Sequence, residues 1–228
     1  MWYVCASPEK KGAWDENIFY ATGVDSVQLF LEHLPQGGTI VEVGCGLGRM
    51  SFALARYFNQ VIGIDVSAEM IKRANQRKRR SACENVAFCV NDGRTIPLAS
   101  GSIDACLSYL VLQHMPSRVL VYGYITEMGR VLRPGGCAVI QLPLIPSTPQ
   151  GQLLYSIRRV IDVFEAMRDA VVRRHPSIRS RAYRGVRLTE GAFKNAAGAA
   201  GFNVQILTDT GRSWSDCYYT FARLQRLS

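Results

Sequence analysis

The sequence has no apolar run that approaches the roughly 18 residues needed to span a bilayer, which predicts a protein without a membrane span. Its first residues lack a basic stretch followed by a long apolar segment, so we expect no signal peptide. The seven cysteines are an odd number and include no C-x-x-C pair, which argues against both a disulfide framework and a zinc site. These absences together predict a cytoplasmic protein that holds no metal.

The 228 residues have the composition of a globular domain with an excess of positive charge. Hydrophobic residues make up 48% and charged residues 20%, enough for one domain with a full core. The net charge is +9, and residues 144–187 contain nine arginines against three acidic residues. A second basic cluster lies in residues 72–80. Such charge fits solvated helix faces, an anionic substrate, nucleic acid or an acidic partner, and the sequence leaves these interpretations open.

A β-branched apolar run at residues 39–43 leads into a glycine-rich loop that carries Gly44, Gly46 and Gly48. A helical pattern follows the loop over residues 50–58. Glycine accepts backbone angles that other residues avoid, and its missing side chain lets a ligand approach the main chain. The free N–H groups of the following helix face whatever binds there. This order of strand, loop and helix predicts a nucleotide-binding site.

The spacing of the glycines disfavours a nicotinamide dinucleotide, because the third glycine of G-x-G-x-x-G would fall at Arg49. A second apolar run, residues 60–65, ends in Asp65, which lies 21 residues after Gly44. A βαβ unit places a carboxylate against ribose hydroxyls at about that distance, roughly 20 residues on. A third run, residues 86–90, is followed by Asn-Asp-Gly at 91–93. Three strand ends with such residues predict one shared ligand site.

Five segments in this order are similar to the motifs of the class I S-adenosylmethionine-dependent methyltransferases. They are E-V-G-C-G-L-G-R (42–49), G-I-D-V-S-A-E-M-I (63–71), N-D-G (91–93), S-I-D-A-C-L-S-Y-L-V-L-Q-H-M (102–115) and R-V-L-R-P-G-G (130–136). The resemblance covers residues 39 to about 142, and outside that window it is thin. Together the segments are far more specific than any one glycine pattern.

The alternation of strands and helices predicts an α/β fold with a parallel sheet and helices on both faces. The resemblance implies a Rossmann-like three-layer sandwich, whose seven-stranded, mostly parallel sheet has an antiparallel last strand and a helical insert before strand 6. We expect one methyltransferase domain over residues 1–228. Its predicted parts are an N-terminal helical lid (1–36), a cofactor-binding core (37–142), a helical arginine-rich insert (143–188) and a C-terminal helix and strand pair (189–228).

Local signals place the helices that flank the core. Apolar residues recur at helical spacing over 13–34, with Gly23 expected to break the helix. Trp14, Phe19 and Tyr20 in this stretch suit a lid over the cofactor, although aromatic residues at such spacing also suit a core. Ser67 is the expected cap of the helix after the second strand, and Thr189 is the expected cap of a short helix that runs to Ala200.

The resemblance implies S-adenosylmethionine as the cofactor and S-adenosylhomocysteine as its product. Glu42 would order the glycine loop, Asp65 would bind the ribose hydroxyls, and Asp92 would bind the adenine amino group. The alternative for both aspartates is helix capping and turn formation. The full set of expected cofactor-binding residues is Glu42, Gly44, Cys45, Gly46, Gly48, Asp65, Val66, Met70, Asn91, Asp92, Gly93, Ser108 and Tyr109.

The catalytic residues expected from the sequence are His114 and Tyr109, which follow the fourth predicted strand, residues 103–108. The sulfonium is already activated, so a base is needed only for a protonated acceptor, and histidine titrates near neutral pH. The alternative is that His114 only fixes a loop.

We expect a small-molecule acceptor, anionic because of the insert arginines. Residues 107–110 lack the Asn/Asp-Pro-Pro-aromatic loop that grips a flipped base, which disfavours a nucleic-acid acceptor without excluding it. The alternatives are an RNA or protein methyltransferase that docks through the insert, or a non-catalytic binding module. The sequence does not predict the oligomeric state.

Overall fold

The computed structural model describes residues 15–145, 186–207 and 219–227, with seven further helical positions between 149 and 164. The strands are β1 (Thr39–Val43), β2 (Gln60–Asp65), β3 (Val86–Val90), β4 (Ile103–Ser108), β5 (Leu132–Ile145), β6 (Leu188–Thr189), β7 (Phe202–Leu207) and β8 (Tyr219–Arg226). The helices outside the insert are α1 (Glu16–Gln28), α2 (Arg49–Leu54), α3 (Ala68–Arg80), α4 (Arg118–Val131) and α5 (Glu190–Ala199), with short 3-10 helices at Leu31–His33 and Leu112–His114.

The strands form one sheet in the order β3-β2-β1-β4-β5-β8-β7. Strands β1 to β5 pair in parallel, while β8 is antiparallel to both β5 and β7. The predicted Rossmann-like class is therefore confirmed, including the antiparallel last strand. The additional strand β6 is only two residues long and pairs Leu188 with Leu144, so that it brings together the two ends of the insert.

The core lies in two layers, one on each face of the sheet. Alternate strand residues point to opposite faces, as Ile40 and Val41 of β1 do. Ile40 packs with α1 and α2, through side chains such as Val27 and Leu54. Val41 packs in the other layer, with α4 and α5. This arrangement is the predicted three-layer sandwich, and it leaves the ends of the strands available for a site.

Helix capping follows the sequence expectation at two helices. The Ser67 hydroxyl accepts a hydrogen bond of 3.3 Å from the Met70 N–H, and the Thr189 hydroxyl accepts one of 3.2 Å from the Ala192 N–H. The predicted extent of α2 is wrong, because the helix ends at Leu54 instead of continuing to residue 58. No helix among the described residues is long and apolar enough to cross a bilayer.

The break predicted at Gly23 is also wrong, since α1 runs without interruption from Glu16 to Gln28. Gly23 instead faces α2, where a Cβ atom would collide with the carbonyl oxygen of Arg49. The glycine therefore allows two helices to approach closely, which sequence alone cannot distinguish from a helix break.

Candidate active site

The predicted site residues follow strands whose carboxyl ends meet at one edge of the sheet. Strand β1 has β2 on one side and β4 on the other, so the chain reverses its direction of winding there. Ligands of open α/β sheets bind in the crevice at such a point. We call this region the β1–β4 edge: residues 42–48, 65–70, 91–93 and 108–114.

The three glycines of the loop have different surroundings. Gly44, Gly46 and Gly48 have φ values of +78°, +54° and +80°, which favour glycine. A Cβ on Gly44 would collide with Val111, and one on Gly48 would collide with the Phe88 ring. A Cβ on Gly46 would meet nothing within 4 Å. Gly46 therefore leaves its main chain open to a ligand, as a cofactor loop requires.

Asp65 connects the glycine loop to the turn after β2. Its Oδ2 accepts a hydrogen bond of 2.9 Å from the Gly46 N–H, and its Oδ1 accepts one of 2.9 Å from the Ser67 N–H. The bond to Ser67 is the turn-forming role that the sequence left as an alternative. Because an ionised carboxylate has about four acceptor positions, two of them are left for hydroxyl donors.

Glu42 lies beneath the glycine loop, where it is 5% exposed. The Ser51 hydroxyl of α2 donates a hydrogen bond to its Oε2. Burial raises the pKa of Glu42 to about 7, although the bond from Ser51 and the charge of Arg49 oppose this shift. Glu42 thus ties β1 to α2, the two elements on either side of the glycine loop.

Cys45 and Met70 complete this part of the site. Cys45 is buried, and burial raises the pKa of its thiol well above the ordinary value, with further contributions from Glu42 and Asp65. The side chain is therefore a neutral thiol that packs as a small apolar group. Met70 is half-buried in the first turn of α3, beside the Ser67 cap.

Asn91 and Asp92 follow β3 and make different contacts. Asn91 is buried and donates hydrogen bonds to the carbonyl oxygen of Thr95 at 3.1 Å and to the Tyr124 hydroxyl at 2.6 Å. Its side chain therefore holds the loop from inside the protein. Asp92 is exposed, and its Oδ1 accepts bonds from the backbone N–H groups of Thr95 and Arg94, which lower the pKa of this carboxyl.

Val66 and Gly93 face each other across the ends of β2 and β3. A Cβ added to Gly93, which has φ +76°, would lie 3.2 Å from a methyl group of Val66. Val66 is exposed although it is apolar. An exposed apolar side chain beside a bare glycine offers a surface on which a flat ring can lie.

Ser108 is the last residue of β4 and Tyr109 follows it, and the two side chains differ in exposure. Ser108 is fully buried, and its hydroxyl has no hydrogen-bond partner among the described residues. Tyr109 is half-buried, with its ring centroid 5.2 Å from that of Phe30. Ser108 therefore lies under the surface of the edge.

His114 ends the 3-10 helix that follows β4, and it is exposed. Its Nε2 lies 3.0 Å from Nε2 of Gln113, so the imidazole nitrogen accepts from the amide if it carries no proton. This position is compatible with both sequence interpretations, a base at the edge or a residue that fixes the loop.

Sequence reasoning missed Gln141, a buried amide in β5. Its Oε1 accepts a hydrogen bond of 2.8 Å from the N–H of Leu110, which has φ +61°. A backbone N–H needs an acceptor, and only the oxygen of the Gln141 amide can accept, so the oxygen faces Leu110. The amide nitrogen, Nε2, therefore points elsewhere, and it has no hydrogen-bond partner among the described residues. Gln141 therefore holds the turn after β4, and its only sequence signal is one amide in an apolar strand.

Helix α1, the described part of the predicted lid, packs against the glycine loop. The Tyr20 hydroxyl donates a hydrogen bond of 3.0 Å to the Leu47 carbonyl oxygen. Nη1 of Arg49 donates to the Thr22 carbonyl oxygen and the Ser26 hydroxyl, each at 2.8 Å. Trp14 and the rest of residues 1–14 lie outside the described residues. In the sequence, Arg49 was notable only because it stands where the dinucleotide motif has its third glycine. Its hydrogen bonds to α1 were not predicted.

The described residues contain no cluster of His, Cys, Asp and Glu side chains suited to hold a metal ion.

Comparison with known proteins bears on the family to which this chain is similar. Residues 41–140 match the family model of a methyltransferase domain. Over 111 residues the chain is 34% identical to the 2-methyl-6-phytyl-1,4-hydroquinone methyltransferase of Synechocystis, and the aligned region covers 48% of this chain and 33% of that protein. Over 111 residues it is 32% identical to a tRNA (carboxymethyluridine(34)-5-O)-methyltransferase of Mus musculus, covering 49% of this chain and 15% of that protein.

A solved structure has the same fold over nearly the whole chain. The magnesium protoporphyrin IX methyltransferase of Synechocystis, with bound S-adenosylhomocysteine, has a TM-score of 0.61 at 19% identity, over 95% of this chain and 90% of that one. The match of residues 41–140 to a methyltransferase domain supports the class I S-adenosylmethionine-dependent methyltransferase family that the motifs predicted. S-adenosylmethionine is the cofactor of that class. The chain spans a third or less of the length of the two curated relatives.

Proposed function

We propose that this protein transfers a methyl group from S-adenosylmethionine to a small-molecule acceptor. The observation that carries the proposal is Gly46, which faces open space while its N–H is held by Asp65. This pairing presents a bare main chain and a carboxylate side by side. Such a surface fits a ligand that has both a polar chain and a ribose.

The residues of the β1–β4 edge divide the work of holding the cofactor. Asp65 has two acceptor positions for ribose hydroxyls, and Asp92 is exposed where it can accept from an amino group. Val66 and Gly93 offer the flat apolar surface that an adenine ring needs. Glu42, Cys45 and Asn91 act from below, because all three are buried. When bound, S-adenosylmethionine supplies a methyl group on an activated sulfonium.

The residues after β4 orient the acceptor. The acceptor's nucleophilic atom bonds to the methyl carbon while the S–C bond breaks, and the electron pair stays on sulfur to give S-adenosylhomocysteine. A proton carried by the acceptor leaves to His114, which is exposed at this edge. Tyr109 borders the same edge from its place against Phe30. Alignment and exclusion of water supply most of the remaining catalysis.

The charge of the insert favours an acceptor that carries a carboxylate or another anion, since residues 144–187 contain nine arginines and three acids. A second candidate is an RNA acceptor, which the same charge and the tRNA-modifying relative favour. RNA binding that involves many phosphate contacts would weaken steeply as salt is raised. A small anionic acceptor makes few such contacts, so its binding would show a much shallower slope.

The experiment that tests the proposal is calorimetric titration with S-adenosylmethionine, S-adenosylhomocysteine and NAD, on the native protein and on Asp65→Ala. We expect both sulfur ligands to bind and NAD not to bind. Asp65→Ala should lose about 1.5 to 3 kcal/mol of binding free energy, because a charged hydrogen-bond acceptor is removed. Glu84→Ala, which removes an exposed acid between α3 and β3, should change nothing.

Failure of both sulfur ligands to bind a folded protein would reject the enzyme and leave a binding module of the same fold. If they bind, transfer of radioactive methyl to panels of small acids and to RNA then separates the two acceptor classes. Methylation of RNA alone would reject the small-molecule acceptor.

A further inference from the structure

The insert carries an exposed apolar surface that the site does not use. Four of its helical residues are between 49% and 67% exposed although all are apolar. They are Leu153, Ile157, Val160 and Phe164, which we call the insert stripe. Their spacing of four, three and four residues places them on one face of a helix. A row of large exposed apolar side chains marks an interaction surface.

The sequence around the insert stripe is strongly basic. Residues 144–187 contain nine arginines and three acidic residues. The apolar spacing continues in the sequence to Met167 and Val171, while Asp162, Glu165 and Asp169 fall out of phase with it. At helical spacing, acidic residues are therefore separated from the apolar row, and positive charge is in excess.

We propose that the insert stripe docks on the surface of an anionic lipid bilayer. An amphipathic helix with bulky apolar residues on one side and many arginines lies in the plane of such an interface. Apolar side chains enter the acyl boundary, and each nearby arginine gains from the negative surface potential. A bilayer fits better than nucleic acid, which would leave four large apolar side chains in water, and the net positive charge selects the anionic surface.

The position of the insert in the fold gives this docking a consequence for the site. The insert follows the carboxyl end of β5, and β5 is parallel to β4, whose carboxyl end carries Tyr109. Docking therefore brings the β1–β4 edge toward the bilayer. If the proposed methyl transfer also holds, the acceptor belongs to the class of amphiphiles that reside in such a surface.

The test is co-sedimentation of the full chain with vesicles of phosphatidylcholine alone and of equal parts phosphatidylcholine and phosphatidylserine. We expect binding to the anionic vesicles only, with weaker binding as salt is raised. Phe164→Glu should lower the partition coefficient at least about tenfold, because it places a charge in the apolar row. Leu227→Glu is the matched control, since Leu227 is 53% exposed and follows β8, which is antiparallel to β5 and so ends at the opposite end of the sheet, and it should change partitioning less than about twofold.

Two results would overturn the proposal. One is equal partitioning of Phe164→Glu and the native protein, and the other is no vesicle binding by the native protein. Sedimentation equilibrium would then test a second copy of the chain as the occupant, and titration with poly-uridylate would test RNA. Either occupant is identified if Phe164→Glu abolishes the corresponding association. Calorimetry with S-adenosylhomocysteine on the same samples separates the two proposals, because retained binding shows that the β1–β4 edge is intact whatever the vesicles do.

Discussion

The β1–β4 edge and the insert are built in opposite ways. At the edge, Gly46, Asp65 and Ser67 are joined by backbone hydrogen bonds, and Glu42 is bonded to Ser51 beneath them. In the insert, the described side chains of the insert stripe face solvent. The edge is therefore organised before a ligand arrives, whereas the described residues of the insert present exposed apolar side chains.

The difference follows from what each region must recognise. A cofactor shared by a whole family can be met by fixed backbone geometry, so glycines and carboxylates recur at set places. An acceptor or a docking surface differs from protein to protein, and its residues follow no common pattern. Under the proposed function, this preorganisation lowers the free-energy cost of binding the cofactor, and it requires that the acidic group of Glu42 be buried.

The largest effect is expected from filling the open space at Gly46. Gly46→Val places a branched side chain where a Cβ now meets nothing within 4 Å, in the path of a ligand. We expect affinity for S-adenosylhomocysteine to fall at least about a thousandfold, or about 4 kcal/mol, in calorimetry. The strained φ of +54° should cost the fold about 1 to 2 kcal/mol as well.

Gly37 supplies the matched control for this substitution. It also has a positive φ, +76°, and a Cβ there also meets nothing within 4 Å, but it precedes β1 at the opposite edge. Gly37→Val should therefore lose similar stability in thermal unfolding and keep its affinity. If both variants bind equally well, Gly46 does not border the cofactor.

The next effect concerns the cost of burying Glu42. Because the pKa of Glu42 is raised to about 7 in the fold, the folded state keeps its proton between about pH 4.5 and 7 while the unfolded state loses it. The free energy of unfolding therefore falls as pH rises through this window, by about 3 kcal/mol in total, and is level above it. Glu42→Gln should remove this slope in urea unfolding measured between pH 4.5 and 8.

Glu127 supplies a control of opposite sign. Its pKa is lowered, first by the hydrogen bonds from Arg130 and also by the bond from the Ile96 N–H. It therefore stabilises the fold above its ordinary pKa and loses that contribution as pH falls. Glu127→Gln should destabilise the protein near neutral pH. If the unfolding free energy of Glu42→Gln depends on pH as steeply as that of the native protein, Glu42 is solvated in solution and does not cause the slope.

Most of the fold follows from the sequence, because its signals are local. The predicted bounds of β2, β3 and β4 are the observed ones, and Ser67 and Thr189 cap the helices that they were expected to cap. A cap or a strand depends on residues close in the chain, so the pattern can be read directly. The errors at Gly23 and at the end of α2 both arise where distant segments meet, because Gly23 lies against Arg49, and Asn85 donates hydrogen bonds to the Ala55 and Phe58 carbonyl oxygens just after α2.

The site was predictable only in part, for the same reason. The glycine loop and Asp65 carry a spacing signal, and the structure brings them together. Asn91 fits the same pattern but turns inward to Tyr124, 33 residues away. The bond from Leu110 to Gln141 joins residues 31 apart, and no motif announces it. The cofactor and catalytic roles themselves stay predictions.

The smallest expected effect tests how tightly α1 is held against the edge. Gly23→Ala brings a methyl group against the Arg49 carbonyl oxygen, so it should cost about 1 to 3 kcal/mol in unfolding and weaken S-adenosylhomocysteine binding, because Tyr20 then loses its bond to Leu47. Gly123, inside α4, has nothing within 4 Å of its Cβ position. Gly123→Ala should therefore stabilise the protein by about 0.5 to 1 kcal/mol through lower chain entropy. If Gly23→Ala and Gly123→Ala raise the free energy of unfolding equally, α1 does not pack closely on α2. The β1–β4 edge would then be as exposed on that side as the insert stripe is.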